Sequence, residues 1–76
     1  MIFNELRTLI AKQFKIPESA IHEDTHFFND LKFDSLDAVE LIISIEETYN
    51  LELLDADAEN VTTITDLIKL INTKKA

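Results

Sequence analysis

The sequence contains no glycine and no cysteine, and its single proline is Pro17 among 76 residues. Without glycine there is no G-x-G-x-x-G fingerprint and no phosphate-cradling P-loop. Without cysteine there is no disulfide framework, no thiolate zinc site and no cysteine nucleophile. Positive charge is scarce: 7 Lys+Arg stand against 15 Asp+Glu, for a formal net charge of −8. A surface of that sign repels phosphate backbones and anionic lipids, which argues against nucleic acid as a partner. The longest apolar run is far too short to span a bilayer, and the first residues lack the basic-then-apolar layout of a secretion signal. The expectation is a cytoplasmic protein with no membrane span.

Apolar residues make up 46% of the chain, normal for a folded domain and too many for a disordered acidic tail. The length suits one small domain, 1–76, expected to be a monomer of marginal stability. From Glu18 to Asp66 there are 14 acidic residues and one basic residue, Lys32, while Arg7, Lys12, Lys15, Lys69, Lys74 and Lys75 lie at the ends. An acidic middle fits a basic partner docking there, or a charge that keeps a small domain in solution.

The apolar residues recur at helical spacing, and no segment alternates as a strand. Phe3, Leu6, Ile10 and Phe14 form one stripe of a helix over Ile2 to Lys15, which Pro17 terminates. Residues 17–34 form a long first loop, several of whose apolar residues (Ile21, Phe27, Phe28, Leu31, Phe33) should pack on the core. A second helix begins at Asp34 or Ser35 and runs to about Asn50, with Asp34 as N-cap and Asp37 at its third position. A short helical turn is expected over Ala56 to Asn60. A last helix starts near Ile64, capped by Thr63 with Asp66 three residues on. The fold class is all-α, a small bundle of three main helices plus one short one.

The second helix is apolar on too many sides. Leu41, Ile45 and Tyr49, with Ile42 beside them, supply a core face, while Leu36, Val39 and Ile43 form another stripe flanked by Asp37, Glu40, Glu46 and Glu47. An apolar stripe rimmed by charge suits transient docking, with apolar contacts for affinity and charge for steering. The competing reading is that this stripe lies against the long loop.

Asp34-Ser35-Leu36 puts a serine at the start of that helix. Ser35 is a poor self-sufficient nucleophile, because its candidate bases, His22 and His26, form no recognisable triad pattern with it. A phosphate there gains about 0.3–1 kcal/mol from the helix dipole, whereas millimolar binding needs roughly 4 kcal/mol. Asp34 and Asp37 oppose an anion as well, so a phosphate at Ser35 would have to be covalently attached.

These residues match a known pattern. The sequence resembles the acyl carrier proteins of fatty acid synthesis, whose attachment motif Asp-Ser-Leu stands here as Asp34-Ser35-Leu36. The likeness continues through Asp37-Ala-Val-Glu-Leu41, Glu46-Glu47, Asp55-Ala-Asp-Ala-Glu59 and Val61-Thr-Thr-Ile-Thr-Asp-Leu67, with Phe28-Asn-Asp-Leu31 upstream, and so covers essentially the whole chain. The resemblance implies a carrier and not an enzyme, with no catalytic residue and no metal ligand. Ser35, flanked by Asp34 and Leu36, would receive a covalent 4′-phosphopantetheine from coenzyme A through a phosphopantetheinyl transferase. The arm's thiol would shuttle acyl thioesters between fatty acid synthesis enzymes bearing basic docking patches. Leu36, Asp37, Val39, Glu40, Ile43, Glu46 and Glu47 would form the docking helix, and Ile45, Leu53, Ala58 and Val61 the acyl pocket.

Two positions depart from the family. Lys32 stands where glycine is usual and is strained if the loop needs positive φ there. Leu54 stands where proline is common. Three other readings compete. One is a specialised carrier for polyketide or other lipid synthesis, and another is an unmodified acidic helical adaptor. The third, a calcium loop built on Asp55 to Glu59, lacks the glycine an EF-hand needs, with Asn60 in its place.

Overall fold

The computed structural model describes residues 2–75. Among these residues four α-helices follow one another: α1 (Ile2–Phe14), α2 (Ser35–Tyr49), α3 (Asp55–Glu59) and α4 (Ile64–Lys75), with a 3₁₀ turn at Glu18–Ala20 in the long first loop. The expected all-α bundle of three main helices and a short one is what forms. The nearest approach to a strand is an isolated bridge between His26 and Thr63.

Each of the three long helices presents one stripe to a common core. Leu6 and Ile10 of α1, Leu41 and Ile45 of α2, and Ile64, Leu67 and Ile71 of α4 are buried. The tyrosine hydroxyl of Tyr49 donates to Glu5 Oε1 at 3.1 Å, and the side-chain amide of Gln13 donates to the Glu40 carbonyl at 3.4 Å. The end of α2 thus meets the start of α1, and the two helices run antiparallel. Partial burial, and then the Glu5 carboxylate, push the Tyr49 phenol up to about 12.

The long loop is anchored rather than free. Ile21, Phe27 and Phe33 are buried, and the Phe33 ring lies 4.5 Å from that of Phe14 and 5.6 Å from that of Phe27, centroid to centroid. The backbone amide of Phe27 donates to the Thr62 carbonyl, and that of Ile64 to the Thr25 carbonyl, fastening the loop to the start of α4. The imidazole Nδ1 of His26 accepts the amides of Phe28 and Asn29 at 3.2 and 3.1 Å, so this ring closes a local turn. Arg7 reaches Glu18 at 3.4 Å and holds the 3₁₀ turn against α1.

Three helix boundaries differ by one residue from the sequence expectation, at the end of α1 and at both ends of α3. α1 ends at Phe14 rather than Lys15, because Lys15 turns left-handed (φ 57°) and the Ile16 amide folds back to the Ala11 carbonyl. That is a Schellman end, and α2 closes the same way, with Asn50 at φ 53° and the Leu51 amide on the Glu46 carbonyl. α3 starts one residue earlier than expected, at Asp55, because Asp57 Oδ2 accepts the Leu54 amide at 3.0 Å. α4 begins as expected: Thr63 Oγ1 accepts the Asp66 amide at 3.2 Å, and Asp66 Oδ2 accepts the amides of Thr62 and Thr63.

Candidate functional site

The start of α2 is fixed by a reciprocal cap. Asp34 is extended (φ −101°, ψ −176°), its Oδ1 accepts the Asp37 amide at 2.9 Å, and Asp37 Oδ2 accepts the Asp34 amide at 3.2 Å. Each carboxylate satisfies a backbone donor that the helix leaves orphaned. Just before it, Phe33 is clamped between Phe14 and Phe27 and donates its amide to the Phe27 carbonyl. Ser35 is therefore the first residue of a rigid helix end, exposed to solvent. Among the described residues its hydroxyl takes part in no hydrogen bond, so Oγ is open to chemistry from outside.

The other two serines have different settings. Ser19 lies within the 3₁₀ turn, and Ser44 lies in the middle of α2. Neither stands at the start of a long helix.

Running down α2 from Ser35, Leu36, Val39 and Ile43 are 63%, 54% and 49% exposed. The stripe is thus turned to solvent rather than covered by the long loop. Glu40 and Glu47 are exposed beside it, and Asp37 is half-buried in its cap. Glu46 is turned inward: its Oε2 accepts the Leu53 amide at 3.0 Å and ties the α2–α3 connection to α2. This bond between residues seven apart has no periodic signature in the sequence.

Between α2, α3 and the loop lies an apolar cavity of about 190 Å³. Ala58 and Val61 line it, as do Leu41, Ile42, Phe28 and Phe33. A second hollow of about 230 Å³ lies between the same helices and is bordered by Val39, Ile43, Leu53 and Leu54. Ala38, Ile42 and Ala58 border both, so the α2–α3 seam is apolar on either side. The four residues expected in an acyl pocket are therefore not brought to one place: Leu53 faces the second hollow, and Ile45, fully buried, borders neither. The sequence reading missed Phe28, which lines the cavity while 42% exposed. Its place in a loop gave no helical register from which to assign it.

α3, one wall of both hollows, is tied at its far side. Lys74 Nζ meets Asp57 Oδ2 at 2.9 Å, and the Leu54 amide, followed by Lys74, holds the Asp57 carboxyl below its usual range. The Asp66 carboxyl is likewise lowered, first by the Thr62 amide and then by the remaining Thr62 and Thr63 donors.

The start of α2 thus combines an exposed serine on a capped helix end, an exposed apolar stripe and an adjoining apolar hollow. No helix among the described residues is long and apolar enough to cross a membrane. The family profile for the phosphopantetheine attachment site matches residues 4–71. An acyl carrier protein of Wolinella succinogenes is 35% identical over 74 residues, covering 97% of this chain and 97% of that protein. One from Lactobacillus acidophilus is 40% identical over 70 residues, covering 92% and 88%. The chain belongs to the phosphopantetheine-attachment family and, within it, to the acyl carrier proteins; it is a carrier bearing covalent 4′-phosphopantetheine, not an enzyme.

Proposed function

We propose that Ser35 is the attachment residue, and that the chain, a single domain over 1–76, carries acyl groups between enzymes of fatty acid synthesis in the cytoplasm as a monomer. The observation that carries this reading is the Ser35 hydroxyl, exposed and unengaged on the first turn of a reciprocally capped helix. When bound, the arm supplies a terminal thiol for thioesters, which a chain without cysteine cannot provide.

The chain's own residues then divide the work. Asp34 and Asp37 hold the helix end that presents Oγ. The proton on Oγ goes to a base from the transferase: neither His22 nor His26 hydrogen-bonds Ser35, and His26 Nδ1 is already occupied by the Phe28 and Asn29 amides. Leu36, Val39 and Ile43 supply the apolar contact with each partner, and Asp37, Glu40 and Glu47 steer its basic patch. Glu46 acts through the backbone, by fixing Leu53.

An acyl chain finds shelter in the cavity of about 190 Å³ against Ala58, Val61 and Phe28. Ile45 supports this wall from the core, and Leu53 belongs to the neighbouring hollow.

Incubation with coenzyme A and a phosphopantetheinyl transferase should add one phosphopantetheine to the chain. Ser35→Ala should abolish the addition while keeping its helical circular dichroism. An unmodified wild type, or a modified Ser35→Ala, contradicts the reading.

A further inference from the structure

We propose that Lys32 is the electrostatic partner of the phosphate that Ser35 carries once the arm is attached, a positioning residue that holds the root of the arm; this rests on the reading of Ser35 above. Lys32 is the sole basic residue between Lys15 and Lys69, and it lies three residues before Ser35. It is exposed. Among the described residues the ion pairs are Arg7–Glu18 and Lys74–Asp57, so Lys32 has no carboxylate partner despite the acids around it.

Its backbone gives no reason for a lysine. Lys32 is left-handed, at φ 60°, where a residue with a Cβ is disfavoured and glycine is at ease. The position therefore bears a side chain at a conformational cost. The segment is also held in place. Phe33 next to it is buried against Phe14 and Phe27, and Asp34 is locked in the cap. Three residues of chain span at most about 10 Å, so the ammonium and a phosphate on Ser35 are confined to one neighbourhood.

The local charge balance asks for such a partner. The Asp34 and Asp37 carboxylates already crowd the first turn of α2, and a phosphodiester on Ser35 Oγ adds a third negative charge there. The helix terminus offsets this only weakly. An ammonium within reach of a phosphate offsets its charge as a point charge, and Lys32 is the cation the chain carries three residues from Ser35.

The test compares urea unfolding of the unloaded and loaded forms of wild type and of Lys32→Gln, with intact mass confirming that each is loaded. At an ionic strength of about 0.01 M, loading should raise the unfolding equilibrium constant about two- to fivefold more in Lys32→Gln than in wild type. At about 1 M salt the difference should vanish. Lys32→Arg should keep the wild-type response. Lys32→Gly should lose it even though its backbone is relaxed, which separates charge from conformation. Equal loading effects in wild type and Lys32→Gln at low salt, or a wild-type response in Lys32→Gly, overturn the role of Lys32 while Ser35 stays loaded. A wild-type chain that gains no mass overturns the reading of Ser35, and this inference with it.

Discussion

Among the described residues, three adopt positive φ in a chain that has no glycine: Lys15, Lys32 and Asn50. Two of them end helices, where the left-handed turn returns an amide to an orphan carbonyl and so repays part of its cost. Asparagine tolerates that conformation, whereas lysine does so less well. Lys32 ends no helix; the amide that follows it, that of Phe33, returns to the Phe27 carbonyl, a bond that glycine at position 32 would keep without the strain of a Cβ. Lys32→Gly should therefore stabilise the unloaded protein by about 1 kcal/mol, read from urea unfolding, net of the greater freedom glycine gives the unfolded chain. A destabilised variant would mean that the lysine side chain makes a packing contribution larger than the strain. The sequence exposes this position only through the family pattern, because composition says that glycine is absent and not where it is needed.

At the scale of elements, α2 carries most of what was legible. Its two apolar stripes, its Asp34 cap and its end at Asn50 all follow from spacing and residue type. Which stripe faces water is settled by packing, since the long loop anchors through Phe27 and Phe33 and leaves Leu36, Val39 and Ile43 exposed. Ile43→Glu should keep the melting temperature within a few degrees and raise the KM of partner enzymes for the loaded carrier at least tenfold, about 1.4 kcal/mol. Glu40→Lys should act in the same direction and more strongly at low salt. Unchanged partner kinetics in both variants would contradict the docking stripe.

The pocket was harder to read, because the wall of a cavity is made by residues that meet from α2, α3 and the loop. Periodicity assigns Ile45 to the inner side of its helix. It cannot say that the inner side at Ile45 meets solid core while at Ile42 it meets a hollow. The caps illustrate the opposite case. Thr63 and Asp66 are three residues apart, and their pairing at the start of α4 follows from that spacing. The folded Asp66 carboxyl lies below its ordinary range. Its contribution is thus present above the unfolded value, about 4, and lost as pH falls through the folded one. Asp66→Asn should be less stable than wild type at pH 7, and the gap should close as the pH drops below about 4. A gap that stays constant on acidification would contradict the charged cap.

For the whole molecule, the net charge of −8 turns from a count into a layout. The helical core of α1, α2 and α4 needs none of it. Several acids instead cap helix starts (Asp34, Asp37, Asp57, Asp66), tie a connection (Glu46) or stand exposed beside the apolar stripe of α2 (Glu40, Glu47). Two of these acids, Asp34 and Asp37, cap the helix end that presents Ser35. The missing cysteine completes the same picture, because a thioester carrier without a thiol has to receive one.

That attachment is tested most directly by loading the wild-type chain with coenzyme A and a transferase, measuring the intact mass, and mapping the modified peptide. The account predicts a single phosphopantetheine on the peptide containing Ser35, with Ser19 and Ser44 unmodified. No mass gain, or a gain mapped to either of the other serines, would contradict it.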